Sequence, residues 1–389
     1  MLTSSSALAV GTGNTTTDKT RVHPSRSVIA LRTMMLRDSL SCMRSPRSRS
    51  SIRASVVVMT ICAVLLTSCP GSKPSPSSSA SPVPSALIGR SIWVATEGDQ
   101  ALQRIDLGLR KASPTFPLSG TPRSILRDGT GFLVPLGARW AIADFDPKTA
   151  TTRSTITLPT EPVESSIKRS YPKAGKISTI DALALVRFRK SLVVVGFIQT
   201  SNIELGVLYW TDSKKVVVLP AAPERAIVVG DQIFVSLIGS DRLAVYDATL
   251  KYVRVGSAPR DLLSVGDRIY ASLTEGGDVA VIDPALLKVV GRIPIPWPRP
   301  SGLARWNDVI LVVAEGTIRS PKGALVFYAR DGTTKLELNV THPQDIAILG
   351  DYAVITSVDE DLAVVFDLTH RREIGRIHTG DYPSSPIVV

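Results

Sequence analysis

Residues 230–283 state one pattern twice, at an offset of 36 residues. Gly230-Asp231-Gln232-Ile233-Phe234-Val235-Ser236-Leu237 returns as Gly266-Asp267-Arg268-Ile269-Tyr270-Ala271-Ser272-Leu273. Leu243-Ala244-Val245-Tyr246-Asp247 returns as Val279-Ala280-Val281-Ile282-Asp283. A fixed period of this size marks a repeat architecture, in which one small unit cannot bury its apolar face alone and stacks on its neighbours.

Two markers carry the period along the chain. An apolar run closes on Asp or a substitute at Ile105-Asp106, Phe145-Asp146, Trp210-Thr211-Asp212, Tyr246-Asp247, Ile282-Asp283, Tyr328-Ala329 and Phe366-Asp367. A proline shortly before an aliphatic residue recurs as Pro122, Pro162, Pro223, Pro259, Pro300, Pro343 and Pro383. Between them lie short β-rich runs separated by Gly, Asp, Asn or Pro, with no helical period. Four short strands in a unit of about 40 residues is the signature of a β-propeller blade. The chain is therefore expected to be all-β, a seven-bladed β-propeller over 86–389. In blade 4 the pattern predicts strands a to d at 226–229, 233–237, 243–246 and 252–255. Blade 1 lacks an innermost strand before Ser91, and Ser384-Ser385-Pro386-Ile387-Val388-Val389 after Pro383 supplies one. Closing the ring in this way removes the free edge of an open sheet.

Residues 259–297, "Pro-x-x-Leu … Gly-Asp-x-Ile-Tyr-x-Ser … Val-Ala-Val-Ile-Asp-Pro … Lys-Val-Val-Gly-Arg-Ile-Pro", resemble the YVTN, or YncE-like, β-propeller repeat. The likeness is clear over 224–300 and 343–389, fair over 86–125 and weak over 126–223, and Ala329 departs from it at an Asp position. It implies a fold more than an activity. Related propellers include lactonases, quinoprotein-like dehydrogenases and single-stranded nucleic-acid binders.

Ahead of the repeats stands an export signal. Arg44, Arg47, Arg49 and Arg53 precede a 13-residue apolar run, 54–66. That is short of the roughly 20 residues that span a bilayer. It ends in Leu66-Thr67-Ser68-Cys69, which resembles the lipobox of bacterial lipoproteins and makes Cys69 the expected lipid-attachment residue. Residues 43–69 are thus a lipoprotein signal, 70–85 a Ser/Pro-rich tether too poor in apolar residues to fold, and 1–42 an over-long start or a disordered extension. The implied address is the cell envelope, on the extracytoplasmic side of a bacterial membrane, with the membrane as a partner through the anchor.

Charge narrows the partners further. Residues 1–69 hold nine basic and two acidic groups, the remaining 320 hold 36 and 32. A nearly balanced body makes no case for a polyanion, and nucleic acid is not expected. Cys42, Cys62 and Cys69 all precede the body, so no disulfide or cysteine-ligated zinc holds it. His342, His370 and His378 have no ligand spacing, and no nucleophile or phosphate-loop motif is present. No catalytic residue, metal or cofactor is assigned. The Asp residues that close the third strands are expected to hold turns.

The candidate ligand face is where d–a and b–c connections gather around the channel. It offers Arg123, Arg225, Arg260, Arg299 and His342 from d–a turns, and Arg139, Trp140, Arg242, Glu275 and Asp278 from b–c turns. The arginines either form a cationic ring for an anionic ligand or pair with acids of neighbouring blades. Two insertions break the repeat, 165–180 with Lys168, Arg169, Lys173 and Lys176, and 318–323. Both are expected to be long loops and places for function. The favoured reading is a non-catalytic binding or scaffold module for a protein, a peptide or a small anionic ligand. The alternatives are an enzyme of lactonase or quinoprotein-dehydrogenase type and a single-strand binder.

Overall fold

The computed structural model describes residues 82–329 and 331–389. The expected N-terminal extension, export signal with Cys69, and tether up to residue 81 lie outside the described residues. Seven antiparallel sheets follow one another along the chain, each built around four consecutively paired strands. Successive innermost strands contact each other around a ring. Blade 4 is Pro223–Val229, Gln232–Leu237, Arg242–Tyr246 and Leu250–Arg254, within a few residues of the strands expected from the pattern. In blade 1 the innermost strand is the last one of the chain. Pro383–Val388 pairs antiparallel with Ser91–Thr96, and among the described residues ahead of Ser91 there is a 3-10 turn, Ser85–Leu87, and no strand.

Each repeated residue has a mechanical reason. The first residue of the a–b turn must adopt positive φ, and glycine does so without a Cβ clash. Gly129, Gly230, Gly266 and Gly350 stand there at φ 56 to 58°, with Arg189 and Asn307 in the two blades that lack glycine. The Asp that ends the third strand accepts backbone N–H bonds from the turn it begins. Asp106 accepts from Leu109, Asp146 from Lys148, Asp212 from Ser213, Asp247 from Ala248, Asp283 from Ala285 and Leu286, and Asp367 from His370.

The proline marks the start of the innermost strand in six blades, and in four of these a β-bulge comes directly after it. Register shifts fall between Pro223 and Ala226, Pro259 and Leu262, Pro300 and Leu303, and Pro343 and Ile346. A bulge re-aims the residues it contains. Here it turns the two residues after each proline out of the sheet and toward the ring axis or the next blade. The repeated serine of the second strand stitches this feature across the blade boundary. Ser236 accepts from the Arg225 N–H at 3.0 Å and donates to the Arg260 carbonyl at 2.5 Å. Ser272 does the same for Asp261 N–H and Ser301 O. In blade 6 the bulge residue is Gly302, where a Cβ would stand 2.4 Å from the Gln344 carbonyl of the next blade.

No single core exists among the described residues. Eight apolar clusters lie at the seven blade boundaries, two of them between blades 3 and 4. The boundary of blades 1 and 2 is the most aromatic, with Trp93 in edge contact with Phe132 and Phe145. The closing strand serves two of them, Val388 on the blade 7–1 cluster and Ile387 on the blade 1–2 cluster.

Two expectations need correction. Pro162 does not open an innermost strand, and the 165–180 insertion is not a loop. Residues Glu161–Ser170 form an α-helix, with Pro162 in its first turn where a missing N–H costs nothing. Glu161 and Glu164 sit in the first turn and Lys168 and Arg169 in the last, complementing the helix dipole. Val163 and Ile167 are buried with Trp140, Ala174 and Tyr209 at the boundary of blades 2 and 3. The last four residues of the insertion, 177–180, open Ile177–Phe188, a 12-residue innermost strand. The second insertion is as expected an extended b–c connection, closed by a short bridge between Thr317 and Ser320.

Deletion of residues 383–389 leaves Ser91–Thr96 as an exposed edge and strips both clusters the closing strand serves. The truncated chain is expected to lose monomeric elution on size exclusion and to aggregate; a soluble monomer with unchanged thermal midpoint would contradict the closure.

Candidate functional site

The bulges bring charged residues of several blades to the channel mouth, where the d–a and b–c connections meet. The central contact is between blades 4 and 7. Arg225 Nη2 donates to both carboxylate oxygens of Asp345, each at 3.0 Å. These residues are 120 positions apart in sequence and three blades apart on the ring, as far apart as two of seven positions can be. The pair therefore spans the axis. Asp345 also accepts the backbone N–H of Ser385, in the closing strand, at 2.8 Å. One carboxylate thus ties blades 4, 7 and 1 together.

Its neighbours form a charge network. Glu315, 3% exposed, accepts from Arg260 and, at 3.0 and 3.1 Å, from Arg299. Arg123 donates to Glu97 at 2.5 Å, and Glu97 accepts a second bond from Ser384 Oγ. His342 Nδ1 is paired with Asp359. Asp181 accepts the Ala138 N–H from blade 2. Asp261 accepts the N–H groups of Leu262 and, across the boundary to blade 6, of Leu303. Of the two arrangements open to the arginines, the structure has the second: Arg123, Arg260 and Arg299 pair with b–c acids, and Arg225 with an innermost-strand acid across the axis.

Burial and pairing divide the carboxylates. Burial pushes Asp345 up, but Arg225, the Ser385 N–H and Arg260 outweigh it, and its pKa lies below the ordinary value. Asp345, in turn, is the main reason the Arg225 guanidinium is held more firmly protonated than usual. Glu97 is raised by burial in spite of Arg123. Asp261 is pushed up to about 6, by burial first and by the field of Asp345, with Arg225 opposing. Arg299 is lowered by burial and by the like charge of Arg260.

The remaining residues proposed for this face stand outside the hydrogen-bonded network, although the charge of Glu275 acts on Arg299. Trp140 is buried, with its indole N–H donating to Pro159 O and its ring edge-on to Tyr209. It is a packing residue at the blade 2–3 boundary, and does not belong on a ligand face. Arg242 turns outward over the Tyr252 ring and pairs with Asp241, and Asp278 pairs with Arg292 of the outer strand at 2.6 Å. Arg139 and Glu275 are exposed on the rim, Arg139 with its stem over Gly120. Asp181, Asp261 and Asp345 went unnoticed in the sequence. Their signal was present, since Asp261 and Asp345 both stand two residues after the recurring proline.

Among solved structures, a candidate 6-phosphogluconolactonase from Bacteroides fragilis aligns over 79% of this chain and 99% of its own, with a TM-score of 0.56 at 12% identity. A functionally unknown protein from Desulfotomaculum acetoxidans aligns over 77% and 98%, TM-score 0.54 at 8% identity. The dihydro-heme d1 dehydrogenase NirN aligns over 78% and 75%, TM-score 0.52 at 12% identity. At such identities the likeness establishes the fold alone: this is a seven-bladed β-propeller. No protein-family profile matches the sequence, and no curated protein matches it.

Two predictions concern the network. Arg225→Met leaves Asp345 partly buried without its cation and is expected to destabilise the fold by about 3–5 kcal/mol in urea titration, whereas Arg225→Met with Asp345→Leu costs less than the single change. An additive double mutant would show that the two do not act as a pair. Asp261 has a folded pKa above its unfolded value, so its contribution to stability is fully present below about pH 4 and is lost as pH rises through about 6. Asp261→Asn is expected to flatten that segment of the stability–pH curve, and an unchanged slope would assign it to another group.

Proposed function

We propose that this chain is a lipid-anchored, extracytoplasmic β-propeller that acts as a non-catalytic binding or scaffold module and takes a protein or peptide on its channel-mouth rim. The observation that carries this reading is the Arg225–Asp345 pair across the axis. With Arg123, Arg225, Arg260 and Arg299 each on a carboxylate, a small anion entering the mouth has to displace an acid from a partly buried cation. Such exchange is costly in a desolvated setting. The surface left for recognition is the rim, where Arg139 and Glu275 are exposed and the 317–320 bridge presents Ile318 at 76% exposure. A large apolar side chain on a polar rim is the kind of feature a protein partner buries. The YncE-like repeat of 259–297 and the Leu66-Thr67-Ser68-Cys69 box agree with a propeller held outside the cytoplasmic membrane. Several acyl chains give the stable anchoring that a single chain does not.

The anchor is tested by labelling with a palmitate analogue. Label and membrane fractionation are expected in the wild type and absent in Cys69→Ser; label retained in the variant would move the anchor elsewhere. The rim is tested with photo-crosslinking residues at positions 139, 275 and 318. One discrete protein or peptide adduct common to the three sites is expected. A stoichiometric metal, chromophore or small anion on the purified protein, with no rim adduct, would replace the scaffold reading by an enzymatic one.

A further inference from the structure

The two faces of the ring differ, and the chain ends pick out one of them. Ser91 begins its strand opposite Asp106, the last residue of the third strand, and Leu107 N–H bonds the Arg90 carbonyl. The chain therefore enters at the face made by a–b and c–d turns, opposite the channel mouth. Leu87 is buried in the blade 7–1 cluster with Val83 packed beside it, which fixes the point of entry. Between Cys69 and Pro82 lie 12 residues, a reach of about 40 Å if extended.

The turns of this face are sharply divided by charge. Over the entry segment and blades 1 to 3 they carry Arg90, Lys148, Arg189, Lys190, Lys214 and Lys215 exposed, together with Arg110, against one carboxylate, Asp212. Asp106, Asp128 and Asp146 end the strands beneath; Asp128 is paired with Arg187 and Asp146 with Arg153. Of the six exposed cations, five form no ion pair among the described residues, and Arg189 meets Asp231 at 3.4 Å with both side chains largely in solvent. Over blades 4 to 7 the described turns carry six aspartates and one cation, Arg371. The basic arc also holds two of the most exposed aliphatic side chains, Ile88 at 67% and Leu109 at 75%. At its edge, where it meets blade 4, a cavity of about 250 Å³ is lined by Phe188, Arg189, Trp210, Lys215, Tyr246 and Asp247. There the Lys215 ammonium lies 5.2 Å and 4.9 Å from the Trp210 and Tyr246 ring centroids and donates to the Tyr246 hydroxyl, and no ion pair holds it among the described residues.

We infer that this basic arc docks on a membrane surface bearing anionic phosphate headgroups, with Ile88 and Leu109 at the headgroup level and the channel mouth turned away from the bilayer. The orientation rests on the lipid-anchor reading; the charge complementarity does not. A short tether holds the arc near the surface continuously, so contacts that are individually weak act at high effective concentration.

The chain from Cys69 onward, which holds all seven sheets and no second cysteine, is tested in two forms. In the lipidated form, on phosphatidylglycerol-containing vesicles, a fluorophore at Leu109→Cys is expected to be quenched by headgroup-quencher lipids and one at Ile318→Cys to be spared. Equal quenching at both positions overturns the docking. In the Cys69→Ser form, the same vesicles at low ionic strength are expected to sediment the protein and phosphatidylcholine vesicles not to. K148Q/K190Q/K214Q/K215Q is expected to weaken that binding about tenfold or more with an unchanged thermal midpoint. Failure of Cys69 to take a lipid removes the anchor and leaves this second measurement intact, so the two failures are separable. Absence of vesicle binding, or binding to a single-stranded oligonucleotide in its place, overturns the proposal.

Discussion

Pairing of Pro383–Val388 with Ser91–Thr96 is the contact on which all seven blade boundaries depend. Each blade buries its apolar faces only against its neighbours, so the protein has boundary clusters and no common centre. A linear stack of such blades would end in two bare faces and two open strand edges. The closing strand removes both defects at once, because Ile387 and Val388 fall in different boundary clusters. It also fixes geometry: a ring that closes through its own ends must bring them to one face, and that face then differs from the other.

Closure puts strong demands on the axis. Innermost strands converge there, and their first residues are bulged so that polar side chains leave the sheet. The repeat supplies a serine to satisfy the bulge's backbone groups, as Ser236 and Ser272 do. Where the position is Thr356 its hydroxyl has no protein partner among the described residues. The charges next to the prolines neutralise one another across the axis and between neighbouring blades. That arrangement cross-links blade 1 with 2, 4 with 7 and 5 with 6, and holds the closing strand, at the mouth. It also leaves Asp261 as a carboxyl between two opposing influences, Arg225 and Asp345, in a partly desolvated setting.

The strands, the closure and the Asp turns were legible because each arises from local periodicity: alternation within a strand, glycine at a positive-φ turn, Asp ahead of a turn. The helix Glu161–Ser170 was missed for a different reason. The recurring Pro–aliphatic marker led Pro162 to be read as a strand start, although Glu-Pro-x-Glu followed by Lys-Arg is a fair helix sequence in its own right. Trp140 was misplaced because a turn residue in an ordinary blade faces solvent, and here the helix covers it. The Arg225–Asp345 pair was beyond local reasoning. Nothing near either residue names the other, and only the closed ring of seven makes positions 225 and 345 face each other.

Net charge hides a pattern for a related reason. Averaged over the body, 36 basic and 32 acidic groups argue against any polyanionic surface as a partner. The fold sorts those charges. At the channel mouth acids and bases interleave and cancel within a few ångströms, and over the turns of the opposite face they separate into a basic arc and an acidic one. Screening at physiological ionic strength acts over about 8 Å, far less than the width of a propeller, so a surface meeting blades 1 to 3 feels the basic arc and not the average. Composition could set the total; only the order of the blades decides which charges act together.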